Sequence, residues 1–132
     1  MGYISDVAIV LYKEDYEELI SLAKEKIDYF GTDRCILDNP VKHFKYNDTE
    51  YTLLRWEYVK WYDEFDEVEL VRRFLANHEH SFVRIGEAVD DIEWEVNGDY
   101  DFYIFTNVHR CIEIDPVVYG IFPAGKTKSY EE

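Results

Sequence analysis

The stretch Ile4–Tyr12 (ISDVAIVLY), running straight into Lys13–Phe30 (KEDYEELISLAKEKIDYF), carries a change of hydrophobic period that decides the fold class. Ile4 to Tyr12 is β-branched and apolar with Asp6 as its only charge, which predicts a buried strand. From Glu14 the period becomes helical. Tyr16, Leu19, Ile20, Ala23, Ile27 and Phe30 form one apolar stripe, and Gly31 is expected to end the helix. Early acids (Glu14, Asp15, Glu17, Glu18) and later Lys24 and Lys26 suit the helix dipole.

Working outward, Val41–Tyr46 and Tyr51–Tyr62 read as strands joined by a turn at Asn47 and Asp48. Asp66–Glu69 resembles a capping box, and Val68, Val71, Phe74 and Leu75 give a second helical stripe that stops at Asn77. Ser81–Gly86 is the next strand. Ile92, Trp94 and Val96 alternate with Glu93 and Glu95, and Asn97-Gly98 predicts a hairpin returning through Phe102–Ile114. The order β-α-β-β-α-β plus a hairpin predicts an α+β, ferredoxin-like antiparallel sheet with both helices on one face. One domain over residues 1–115 and a C-terminal arm over 116–132 follow, since Pro116, Gly120, Pro123 and Gly125 break the pattern.

Gly2–Ala8 (GYISDVA) resembles the opening of small uncharacterised proteins of phages, prophages and mobile elements, and Arg84–Glu87 with Asp90–Glu93 resembles a second shared segment. The resemblance implies an accessory protein of a mobile genome, with host-takeover or anti-defence roles. It implies no activity and no site residues.

Composition narrows the function classes. The 132 residues carry a net charge of -15, which argues against direct capture of nucleic acid or an anionic membrane. At 47% hydrophobic and 17% aromatic, the chain is not a disordered acidic tail. No apolar run is long enough to span a bilayer, no signal peptide is visible, and Cys35 and Cys111 stand far apart, so a cytoplasmic location is expected, that of the host cell if phage-encoded.

Motifs for catalysis are weak. Gly120–Thr127 matches a P-loop pattern without room for the helix that must follow it. Glu93–Gly98 resembles half a calcium loop but has Ile104 where a glutamate is required. Asp90, Asp91 and Glu93 resemble a magnesium-binding set but lack nearby lysines for a phosphoryl substrate. His78 and His80, with His109 and Cys111, would meet as zinc ligands only if their strands were neighbours, and the spacing matches no standard zinc motif. No enzyme activity, metal or cofactor is therefore expected.

Charge and aromatics offer more. Residues 63–101 hold thirteen acids against three arginines, a net -10. On one strand face Glu93 and Glu95 would stand about 6.6–6.8 Å apart, a row of negative charge. The leading expectation is a non-enzymatic inhibitor of a host defence protein, which presents a basic surface with a nucleic-acid mimic. Its partner-binding residues would be Asp90, Asp91, Glu93, Glu95, Asp99 and Asp101, flanked by Trp94 and Tyr100. The alternative is a small-molecule binder that sequesters a nucleotide-like immune signal. A base would stack on Trp56, Tyr58 or Trp61, and Arg55, Arg84 or Arg110 would take a phosphate. The aromatics outnumber what two helices on one face can cover, so some rings are expected to be exposed or covered by a partner. The apolar run Val117–Phe122 adds an expectation of homodimers formed by arm exchange.

Overall fold

A computed structural model describes residues 2–106 and 108. Its first strand, β1 (Ser5–Tyr12), passes directly into helix α1 (Lys13–Lys26). The strands β2 (Lys42–Tyr46) and β3 (Thr49–Val59) follow a short 3-10 turn at Ile36–Asp38, then come α2 (Asp66–Ala76), β4 (His80–Ile85), β5 (Ile92–Asn97) and α3 (Asp101–Phe105). The five strands form one sheet in the order β2-β3-β1-β4-β5, with every neighbouring pair antiparallel. The class is α+β, as the change of period predicts. Among the described residues no helix is long and apolar enough to cross a membrane.

Alternation divides the sheet into two faces. Val7, Ile9 and Leu11 of β1, Leu54 and Trp56 of β3 and Phe82 of β4 point to one face. Against them pack Leu19 and Ala23 of α1 and Val68, Val71, Phe74 and Leu75 of α2. Trp61 joins this core with its ring 5.3 Å from that of Trp56. Parity along an unbroken strand would send Trp56 and Trp61 to opposite faces, but the chain leaves the strand after Val59 and both rings enter one core. Tyr58 (φ +61) also interrupts the alternation, in a bulge where its N–H donates to Asp6 Oδ1 at 3.1 Å.

The opposite face holds Val10, Tyr12, Phe44, Tyr51, Leu53 and Val96. Phe102 and Phe105 of α3 cover them, and Phe102 is fully buried. The predicted return strand from Phe102 is thus wrong where it is described, since Asp101–Phe105 is helical. Spacing explains the difference. Phe102 and Phe105 are three apart, so one helical turn aims both rings at the Tyr51 ring (5.6 and 4.7 Å), whereas a strand would also send both to one side only by an even spacing. Gly98 (φ +122) turns the chain out of β5, and the N–H groups of Phe102 and Tyr103 close on the carbonyls of Asp99 and Tyr100. The Ser81 hydroxyl donates to the Phe102 carbonyl, which ties α3 to β4. The rest of that predicted strand, His109, Arg110, Cys111, the arm at 116–132 and the P-loop-like match lie outside the described residues.

Two helix boundaries also differ from expectation. α1 ends at Lys26 rather than at Gly31, because Ile27 turns extended and Tyr29 swings to donate its hydroxyl to the buried Glu67 carboxylate. The capping box is absent: Phe65 is the residue preceding α2, Asp66 lies inside it, and no side chain caps the helix. The Asn47-Asp48 turn is as predicted, with both residues at positive φ (52° and 65°), the twist that a two-residue hairpin loop requires.

Candidate functional site

The surface strip from Val89 to Ile104 is built on the edge strand β5. Cross-strand pairing sets its two faces: Ile85 faces Ile92, Val83 faces Trp94 and Ser81 faces Val96, while Arg84 faces Glu93 and Phe82 faces Glu95. Ile92, Trp94 and Val96 therefore lie on the α3 side, and Glu93 and Glu95 on the side of α1 and α2. The Trp94 indole donates to Thr106 Oγ1 at 3.1 Å and stays half-exposed.

The acidic row expected at Glu93 and Glu95 is not a free row. Arg84 donates from Nε to Glu93 (2.6 Å), from Nη2 and Nη1 to the two Asp91 oxygens (2.6 and 3.2 Å), and from Nη1 to Ser5 Oγ (2.9 Å). Arg72 adds a second bond to Glu93 at 3.0 Å and one to Asp63 at 2.8 Å. Glu95 Oε2 lies 3.2 Å from Nε2 of the fully buried His80. Burial alone would raise the Glu93 carboxyl, but hydrogen bonds from Arg84 and Arg72 outweigh it and hold the group below its ordinary range. Burial likewise opposes the Arg84 charge, and its bonds to Asp91 and Glu93 reverse that effect. Asp91, Glu93 and Glu95 thus serve internal pairs, as cross-strand neighbours of opposite charge do.

Three of the expected acids keep a different status. Asp90 is exposed. Asp99 accepts from the Tyr12 hydroxyl at 3.1 Å and Asp101 from the Tyr51 hydroxyl at 3.3 Å. Burial and then the Glu79 and Asp99 carboxylates push the Tyr12 phenol well above its usual range, so it remains a donor. Apolar side chains interleave with these acids. Of the nine large hydrophobic residues exposed among the described residues, six lie in this strip: Val89, Ile92, Trp94, Tyr100, Tyr103 and Ile104. Trp94 and Tyr100 were expected. Val89, Ile92, Tyr103 and Ile104 were missed, although Val89 stands in an acidic loop with no periodic apolar partner, and Tyr103 follows Tyr100 at the spacing of one helical turn.

The alternative nucleotide-binding set does not converge. Trp56 and Trp61 are buried in the core, Tyr58 is 80% exposed and alone on its bulge, and Arg84 is occupied by carboxylates. Arg55 lies on the α3 side beside a hollow of about 240 Å³ walled by Ala8, Leu53, Val83 and Phe105. Arg110 is outside the described residues. The histidines are also separated. His80 is on β4, with Nδ1 2.8 Å from the His78 carbonyl, whereas the His78 ring stacks on Phe74 beyond the end of α2.

The segments Gly2–Ala8 and Arg84–Glu93 touch in space. Tyr3 donates its hydroxyl to Asp91 (2.6 Å) and accepts from the Ala88 N–H (2.9 Å), the Ile4 N–H donates to Glu87 (2.7 Å), and Ser5 meets Arg84. A Cβ on Gly86 would fall 2.1 Å from Asp91 Oδ2 and 2.5 Å from the Tyr3 hydroxyl, so any side chain there would push these two groups aside. The segments form a brace between the N-terminus and the β4–β5 loop. No family model, curated protein or solved structure matches the chain.

Proposed function

We propose that this chain is a non-enzymatic binding protein that docks on a basic surface of another protein through the strip Val89–Ile104. The observation that carries the reading is the concentration of exposed Trp94, Tyr100 and Tyr103 among Asp90, Asp99 and Asp101, which have no cationic partner among the described residues. Aromatic anchors supply contact area, and charged neighbours supply steering and register. The nucleic-acid mimicry first assigned to six acids is narrowed here to these three. The resemblance to mobile-element proteins supports a host defence protein as the partner. Within the same proposal, β1 to β4 are assigned to the ferredoxin-like arrangement, supported by β3 lying between β1 and β2 and β1 between β3 and β4. Dimerisation through the arm is likewise proposed, and light scattering before and after truncation at Asp115 tests it.

The binding test is a pull-down from host lysate at 50 mM and 500 mM salt with wild type, Asp90→Lys/Asp99→Lys and Tyr100→Ala. Screening at the higher salt should release the partner, and either variant should reduce capture at the lower salt. Capture that survives both variants refutes the strip as the docking surface. Sequestration of a nucleotide-like ligand ranks second, supported only by Arg55 beside its hollow. That hollow, about 240 Å³, is smaller than the roughly 300–1,000 Å³ of ordinary small-molecule pockets. A thermal-shift screen against nucleotides that stabilises wild type and not Arg55→Ala would reverse the ranking.

A further inference from the structure

Away from the strip, α1 and the turn after α2 bring together Asp15, Glu18 and His78, with one ligand atom from each lying within 4.8 Å of the others. We propose that these three side chains bind a divalent transition-metal ion of the zinc class. Asp15 and Glu18 are three apart on α1 and so share a face. His78 follows the end of α2.

The imidazole is held before any ion arrives. Its ring stacks on Phe74 at 3.8 Å with an interplanar angle of 8°, and Nδ1 lies 2.7 Å from the Phe74 carbonyl oxygen. A carbonyl only accepts, so Nδ1 carries the proton. In the neutral ring Nε2 then presents a lone pair, and it faces Glu18 Oε1 at 3.6 Å. A lone pair aimed at a carboxylate is a favourable arrangement only with a cation between them or on one of them. Metal-bound histidines commonly show the same arrangement, with the second ring nitrogen donating to a backbone carbonyl.

The distances suit this reading. In a tetrahedral site with metal–ligand bonds of about 2.0–2.2 Å, the ligand atoms stand about 3.3–3.6 Å apart. Side-chain rotations that bring the pairs at most about 1.5 Å closer therefore close the set. One imidazole nitrogen with two carboxylates favours zinc, cobalt, nickel or manganese over calcium and magnesium. Two carboxylates also balance a divalent charge, and Glu14 and Glu79 stand close enough to Asp15 to add to the negative field. The ion would clip α1 to the turn between α2 and β4.

Titration of the untagged, chelator-stripped full chain with zinc chloride near pH 7, followed by calorimetry, tests the proposal. One saturable equivalent is expected, weakened by more than about tenfold in His78→Ala and in Asp15→Asn. His43→Ala should bind as wild type, because that imidazole is bonded to Thr52 on another strand. Glu18→Gln, which keeps the side-chain shape, gives the same reading if His78→Ala fails to fold. In wild type the His78 ring proton signals should shift or broaden at the first equivalent. Absence of saturable binding, or binding undiminished in His78→Ala and Glu18→Gln, overturns the site.

Discussion

Replacing Arg84 by alanine removes the donor that three elements share. The guanidinium is 14% exposed and bonds Asp91, Glu93 and the Ser5 hydroxyl, while the two carboxylates are 30% and 42% exposed. Breaking a fully buried ion pair costs about 3–5 kcal/mol, chiefly because a charge is left without a partner. Here water reaches both carboxylates and Arg72 still holds Glu93, so the cost falls to about 2–3 kcal/mol. For a domain of this size that is a fall in Tm of roughly 8–15 °C. Urea denaturation of Arg84→Ala, Arg84→Lys and the Arg84→Ala/Glu93→Gln pair measures it. Lysine keeps the charge without the bidentate fork and should recover about half the loss. The double variant should lose less than the sum of the singles, since the two groups are in contact. A loss below about 0.5 kcal/mol, equal for alanine and lysine, would refute the brace and return Arg84 to the set of free arginines available for a ligand.

Glu93 makes stability sensitive to acid. Its carboxyl is lowered in the folded chain from an ordinary 4.5, so its contribution is complete above that value and is lost as pH falls through the lower folded value. Glu93→Gln should flatten the stability profile below pH 4.5, and an unchanged slope would remove the group from the account. Glu93→Lys with Glu95→Lys should destabilise the domain by placing lysines beside Arg84, Arg72 and His80, which circular dichroism on heating will show. Phe102→Ala, at a fully buried ring, should cost about 3–5 kcal/mol in chemical denaturation. A cost under about 1 kcal/mol would mean that α3 does not cover the sheet. Tyr58→Gly should stabilise by about 0.5–1 kcal/mol, because an exposed tyrosine at φ +61 is strained and its N–H bond to Asp6 survives the change. A loss of stability there would show that the ring makes a contact worth more than the strain.

Much of the architecture follows from the one-dimensional pattern. The period change at Tyr12, the stripe Val68–Leu75 and the Asn47-Asp48 turn each depend on neighbours a few residues away, and each appears where the sequence places it. Length and charge likewise depend on composition alone. Tertiary structure decided the rest. Glu93 alternates with apolar residues as a solvent-facing acid would, and only the β4–β5 register brings it onto Arg84. Phe102 and Phe105 fit a strand locally until the uncovered Tyr51 ring offers a helix something to pack against. Trp56 and Trp61 meet because a bulge at Tyr58 and the chain's exit after Val59 override strand parity. His78 lies sixty positions beyond Glu18 in the chain, and no spacing rule links it to the Asp15–Glu18 face of α1. Local pattern determines which element forms, since propensity and amphipathicity act over one or two turns. Which charges are neutralised and which rings are covered depends on long-range pairing, and that is settled only when the sheet closes around β1.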